Sequence, residues 1–372
     1  MMRGFSRILT SVMTVVFLFS IITGCVFNVN NKAEIHNAAL IYDSFREIPG
    51  VSEEDIKAVE ALREKYDSFS YGTLMSSEAF FDTSGEMRGY IVLLCDWLTD
   101  LFDIRFVPVI YNWDELLGEL DNRAIDFTNI TLKNGSHIDP RYKTGAVAER
   151  TIESFKMGDC APLMNLHEVG TPRFSFLRDA GTYDAVSGYI EYEFESIFVD
   201  RYSDAHDMLM KGEIDAFFDY GIAEAAFLKS PCIIKEVFYP AVIYHTVSIS
   251  THDPALEPII TIIDKFIESN GIRHLTGLYE SGLFEYMGYK MSLLLTDEEM
   301  EYIKNSSGIK YAAEHYNYPV SFYNKHENEW QGIAHDVLHD VEKLTGLNFE
   351  LINDHDTQWP ELLRYLESGE GL

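Results

Sequence analysis

Apolar positions along the chain switch between a period of two and a period near 3.6, and the two kinds of segment alternate. SFSYGTL from Ser68 reads as a strand, GYIVLLCDWLTDLF from Gly89 as a helix and IRFVPVIY from Ile104 as a strand. WDELLGELDN from Trp113 then reads as a helix and AIDFTNIT from Ala124 as a strand. After a less regular stretch, the alternation resumes with RFSFLR, a helix opening at Thr182, FESIFV, the helix SDAHDMLMKG, strand IDAFFD, helix GIAEAAFLK and strand IIKEVFY. Alternating strands and helices predict parallel sheet covered by helices on both faces. Two such runs, joined near residues 145–172 and 238–242, predict two lobes with a cleft between them.

The pattern also repeats over a longer distance. Val51-Ser-Glu-Glu-Asp-Ile56 matches Leu295-Thr-Asp-Glu-Glu-Met300, 244 residues on, each with a hydroxyl N-cap and acids in the first turn that suit the helix dipole. Gly89 and Gly332 each open an amphipathic helix, and Leu101, Ile104 and Phe106 stand 243 residues before Leu344, Leu347 and Phe349. Trp113 and Trp359, 246 apart, are each followed after one residue by Glu-Leu-Leu. The near-constant offset predicts a duplicated unit. In this register Leu372 falls opposite Asp126, so the expectation is a second copy over 295–372 that stops one strand short and is poorly stable alone. A smaller echo pairs LDNRAID at Leu120 with LMKGEID at Leu209, one in each lobe of the first copy.

Composition changes this picture little. Apolar residues make up 47% and aromatics 13%, ample for packed cores, and a net charge of −31 spread along the chain argues against a nucleic-acid partner. The N-terminus differs: Arg3 and Arg7 precede an uncharged run from Ile8 to Val29 that contains Ile22-Thr-Gly-Cys25. This is an export signal. Ile-Thr-Gly-Cys resembles a bacterial lipobox, which would make Cys25 the lipid-bearing terminus, and the run is also long enough to be an uncleaved signal anchor. Both readings place the rest outside the cytoplasm, tethered to the membrane. Cys95, Cys160 and Cys232 remain, an odd number with no C-x-x-C spacing, so neither a disulfide framework nor a zinc site is inferred. Cys95, in IVLLCDWL, reads as a small core residue.

The segments AFFDTSGEMRGY, WDELL and LMKGEIDA, together with SISTHDPALEPIITIIDKFIESNGIRHLTGLYESG, resemble in order and spacing the family 3 extracellular solute-binding proteins. These are the receptors of amino-acid ABC transporters. The resemblance implies an α/β, bilobal periplasmic-binding-protein (Venus flytrap) fold followed by an incomplete second copy. It places a lead-in over 26–65 and a first module over 66–290, with one lobe about 66–145 and 241–290 and the other about 172–238. The helical lead-in and the second unit look closest to the tandem modules of membrane sensor kinases and diguanylate cyclases. By the same resemblance the ligand is a small, amino-acid-like solute. A guanidinium would hold its carboxylate: Arg141 is the candidate, displaced by inserted residues from the expected place near His137. Thr182, after Gly181, would meet the carboxylate at a helix start, and Asp219, one residue before the expected place at Tyr220, would hold the ammonium. Phe80 and Phe81 would supply the stacking aromatic and Thr128 and Thr131 hydroxyls. Glu78 is marked by position alone.

The other patterns carry less. His335 and His339 are one helical turn apart with no third ligand evident, so the expectation is a solvated helix face and no metal. No G-x-S-x-G, P-loop or Rossmann fingerprint is present, and neither catalysis nor a cofactor is expected. The sequence therefore predicts solute binding by lobe closure. Sensory input to the chain's own cytoplasmic signalling domain is the first reading, a lipoprotein receptor serving an ABC permease the second, and a part in a peptidoglycan-cleaving or dehydratase enzyme the third.

Overall fold

The computed structural model describes residues 42–133, 136, 141–237 and 243–368. The predicted export signal with Cys25, the position of His137 and the link 238–242 lie outside the described residues. The chain divides into two compact units, of which 42–286 and 287–368 are the described parts.

The first unit opens with helix α1 (Glu53–Lys65), started by a capping box in which Ser52 Oγ accepts the Asp55 N–H and Asp55 accepts the Ser52 N–H. The helix buries Val59 and Leu62, and the preceding Phe45 stacks on Phe102 at 5.7 Å. Strand β1 (Ser68–Leu74) follows, then the hairpin β2 (Phe80–Phe81) and β3 (Met87–Arg88), helix α2 (Tyr90–Phe102), β4 (Arg105–Tyr111) and helix α3 (Trp113–Asp121). β1 lies parallel to β4 on one side and to β5 (Phe127–Thr128) on the other. The sheet is completed by β6 (Tyr142–Lys143) and, from far along the chain, β13 (Ser250–Thr251), in the order β4-β1-β5-β13-β6. Helix Glu257–Phe266 packs its isoleucines into this lobe, and helix Ile272–Leu294 brings Gly282 against the backbone of Tyr90.

The second lobe is built on β7 (Ala148–Met157), β8 (Arg173–Leu177), β9 (Glu195–Val199), β10 (Ala216–Tyr220) and β11 (Ile233–Val237), in the order β11-β7-β10-β8-β9. The expectation of all-parallel sheets is corrected here. β8, β9 and β10 are parallel, but β7 runs antiparallel to β10 and β11, and β13 antiparallel to β5 and β6. The antiparallel strands are those that carry the chain between lobes, so the period-two signal could not reveal their direction. AIDFTNIT is also shorter than predicted, since only Phe127 and Thr128 pair.

Both lobes use the echoed turn in one way. Arg123 (φ 56°) and Gly212 (φ 67°) take the left-handed conformation that ends a helix. The aspartate that follows then accepts an N–H from the neighbouring strand, Asp126 from Ser70 within β1 and Asp215 from Arg173 at the start of β8, each at 2.7 Å.

The lobes are joined by strands that pair with each other. β7 gives its first residues, Ala148–Thr151, to β12 (Tyr244–Val247) and the remainder to the second-lobe sheet. A single buried apolar cluster then spans both lobes. It includes Leu74, Trp113 and Leu116 from the first, with Leu177, Val199, Ala205 and Phe217 from the second.

The second unit repeats the order of elements. Thr296 and Glu299 form a capping box for helix Asp297–Asn305, strand Ile309–Tyr311 lies parallel to Phe349–Leu351, and between them a hairpin (Ser321–Asn324 with Glu329–Gln331) precedes helix Ile333–Thr345. Gly89 and Gly332 stand at φ 104° and 120°, where a side chain is strained. A Cβ on them would also lie 2.6 Å from Glu78 O and 2.7 Å from Val320 O. Those carbonyls accept the amides of Ile91 and Ala334, each at 2.9 Å, two residues after the glycine. His335 is held between the Tyr311 hydroxyl and Ser321 Oγ, both at 3.2 Å, while His339 is exposed beside Glu342. No group of three metal-ligating side chains occurs among the described residues.

Candidate functional site

Where β7 leaves the crossing link, its outward and inward positions both run into protein. Arg150, Glu153 and Lys156 are consequently all buried. Arg150 donates from Nε to Glu78 Oε1 at 2.9 Å and from Nη2 to Glu78 Oε2, a fork-to-carboxylate pair with side chains 5% and 3% exposed. Glu78 sits in the loop between β1 and β2. Its carboxylate also accepts from Asn129 Nδ2 at 3.3 Å and is met by the Tyr279 hydroxyl, while Arg150 Nη1 donates to Asn129 O at 3.2 Å. The guanidinium lies 5.9 Å from the centre of the Tyr220 ring of the second lobe. Burial works against the charge of Arg150, but the Glu78 carboxylate more than offsets it and the guanidinium stays above its ordinary value. Burial pushes the neighbouring Tyr71 and Tyr90 hydroxyls up, Tyr220 to about 12.

Asp219, one residue before Tyr220, is a further buried acid. Burial raises it from 3.8 to about 6, against the lowering effects of the Tyr202 hydroxyl, the Tyr220 N–H and the Arg150 charge. Its Oδ1 accepts the Tyr220 N–H at 2.8 Å, while Oδ2 has no partner within hydrogen-bond geometry among the described residues, the Tyr202 contact being the looser one. Thr182, at the first turn of helix Thr182–Ser187, is fully buried with its Oγ1 likewise unpartnered. Polar atoms buried in this way cost stability unless something pairs with them.

The remaining expected residues are dispersed. Thr131 reaches the Tyr220 hydroxyl. Thr128 is buried and donates to Gly72 O at 2.8 Å, so its hydroxyl serves the sheet. Phe80 is buried edge-to-face on Tyr286 at 5.4 Å, and Phe81 is 42% exposed on the hairpin. Arg141 is exposed at the start of β6, and the buried guanidinium is that of Arg150 instead. The missed signal is AERTIESFKM itself, a strand with charges three residues apart on both faces, which no half-solvated strand would carry. A surface concavity lined by Thr171, Tyr183 and Tyr192 to Ser196 lies at the β9 edge of the second lobe, and neither Arg150 nor Asp219 lines it.

Two lobes joined by paired crossing strands, with charged groups buried at the joint, make this a bilobal Venus-flytrap fold. No protein-family model and no curated protein sequence matches the chain. Among solved structures, the P235GK mutant of the arginine-binding protein ArgBP of T. maritima is 16% identical, with 60% of this chain and 99% of that one covered at a TM-score of 0.46. The periplasmic VFT2 domain of Bordetella pertussis BvgS is 11% identical (61% and 97% covered, TM-score 0.49). The amino acid ABC transporter substrate-binding protein AbpA of Streptococcus pneumoniae, bound to L-arginine, is also 11% identical (61% and 98%, TM-score 0.46).

The state of Asp219 has a measurable consequence. An acid raised by folding contributes stability that is fully present below its unfolded value, near 3.8, and lost as pH rises through about 6. Asp219→Asn keeps the Oδ1 acceptor and stays neutral. At pH 8 the variant is expected to be more stable than the parent by on the order of 2 kcal/mol, with the difference shrinking through pH 6 and gone near pH 4. Paired urea melts at each pH read it directly.

Proposed function

We propose that the chain is an extracytoplasmic receptor, tethered to the membrane, for a small polar, amino-acid-like solute, and that it provides sensory input to a signalling protein. One observation carries this reading: a polar cluster is enclosed at the hinge side of two lobes, and among the described residues the buried Asp219 Oδ2 and Thr182 Oγ1 have no partner within hydrogen-bond geometry, Asp219 keeping only the looser Tyr202 contact. A carboxylate and a hydroxyl left in that condition fit a solute that brings an ammonium and further polar atoms. Asp219 and Thr182 of the second lobe and Thr131 of the first are assigned to it, and Phe80, Phe81, Thr128 and Arg141 carry weaker assignments because they are spent elsewhere or exposed. Closure is the mechanism, since a ligand that touches both lobes binds the closed state better and shifts the population toward it. The repeated order of elements in the second unit favours the sensory role through a duplicated module. Ile22-Thr-Gly-Cys25 favours a second reading, a lipoprotein delivering solute to a permease.

Screening the full chain against amino acids, small peptides and organic acids by thermal shift tests the proposal. A solute at a hundredfold its dissociation constant is expected to stabilise by about 2.7 kcal/mol, and Asp219→Asn to lose the response to any ammonium-bearing hit. A flat screen would remove solute binding from the first unit.

A further inference from the structure

The pair Glu78–Arg150 spans the joint on which the two lobes move. Glu78 belongs to the first lobe; Arg150 belongs to the crossing strand and lies against Tyr220 of the second. The residue before Glu78 does the same in backbone form, since Ser77 N donates to Ile222 O of the second lobe at 2.9 Å. Further first-lobe residues also bond to the second: Trp113 Nε1 donates to Arg178 O at 2.7 Å, Lys133 N to Asp179 O at 2.9 Å, and Asp114 pairs with Arg201. The apolar cluster likewise takes residues from both lobes.

We propose that Glu78 is a tethered ligand: its carboxylate fills an anion seat made by Arg150, Asn129 and Tyr279 at the hinge and so latches the lobes together. This rests on the reading of the unit as a bilobal solute-binding module and adds a regulatory element to it. A carboxylate on the chain acts at a high effective concentration, and opening the hinge would separate two charges that are both buried, the arrangement that is most costly to break. The latch therefore sets how much binding free energy a solute must supply before the lobes move, and a module whose latch always holds transmits shape without sampling solute.

The test needs no natural solute, so it is decided separately from the ligand screen. In the full chain, hydrogen exchange is followed at the amides of Ser77 and Lys133, which bond across the cleft, and at amides of the β1–β4 and β8–β9 ladders within each lobe. Glu78→Gln removes the charge and keeps the shape. It is expected to speed exchange at Ser77 and Lys133 at least tenfold and to leave the within-lobe ladders unchanged. In Glu78→Ala, added propionate is expected to occupy the emptied seat and slow the two amides back toward parental rates, with propionamide without effect. Parental exchange at Ser77 and Lys133 in Glu78→Gln, or an equal increase in the ladders, would overturn the latch. A folded Glu78→Ala that ignores propionate would overturn the anion seat, and if that variant does not fold, the exchange pattern of Glu78→Gln decides alone.

Discussion

Replacing Arg150 by methionine lowers the stability of the first unit by about 3–5 kcal/mol, the range for removing one partner of a buried ion pair. Methionine approximates the apolar stem, so lost packing is a minor part of the effect. What dominates is that the Glu78 carboxylate, 3% exposed, is left with only the Asn129 amide and the Tyr279 hydroxyl. Converting Glu78 to methionine in the same chain should recover much of that loss, because two apolar side chains then replace a pair whose desolvation had offset its attraction. Urea melts of the single and double variants form the cycle. Losses that simply add would show that the two residues are not coupled.

Gly89→Ala is the second large effect. The position combines φ 104° with a Cβ that would lie 2.6 Å from Glu78 O, so the loop carrying Glu78 must shift for any side chain to fit. A loss of about 2–4 kcal/mol is expected from strain and overpacking together. Gly332→Ala meets the same geometry against Val320 O. Made separately, the two substitutions should affect different units, and a protease-digestion profile at intermediate urea resolves which segment becomes susceptible. Full tolerance of alanine at both positions would mean that the helix starts do not depend on the close carbonyl approach.

These two glycines also show how the sequence could be read. The offset between Gly89 and Gly332 was visible as spacing, and the structure supplies its cause in a left-handed N-cap pressed against the loop behind it. Trp113 and Trp359 were likewise aligned by pattern. Their surroundings differ: Trp113 is 4% exposed and bonded to Arg178 O, whereas Trp359 is 48% exposed. Periodicity identifies the helix but not what covers it. The polar cluster was the least legible part. Glu78 is marked by position alone, and nothing local marks Arg150, which lies in a strand whose charges are buried only because β12 and both lobes close around it. β12 comes from about a hundred residues downstream and Glu78 from 72 residues upstream, beyond the reach of any local signal. The aspartates of the echoed turn are legible as a repeat, while their task of accepting an amide of a neighbouring strand depends on sheet order.

The position of β13 between β5 and β6 bears on how the molecule is assembled over time. The second lobe is made from one uninterrupted stretch, Ala148 to Val237, so its strands can find one another as soon as that stretch leaves the ribosome. The first lobe must wait for Ser250 and Thr251, more than a hundred residues after the strands they join, before its sheet is continuous. Such long-range pairing is the slow part of folding. The lobe begun first is therefore finished last, and until then its exposed sheet edge is the segment most in need of protection from aggregation.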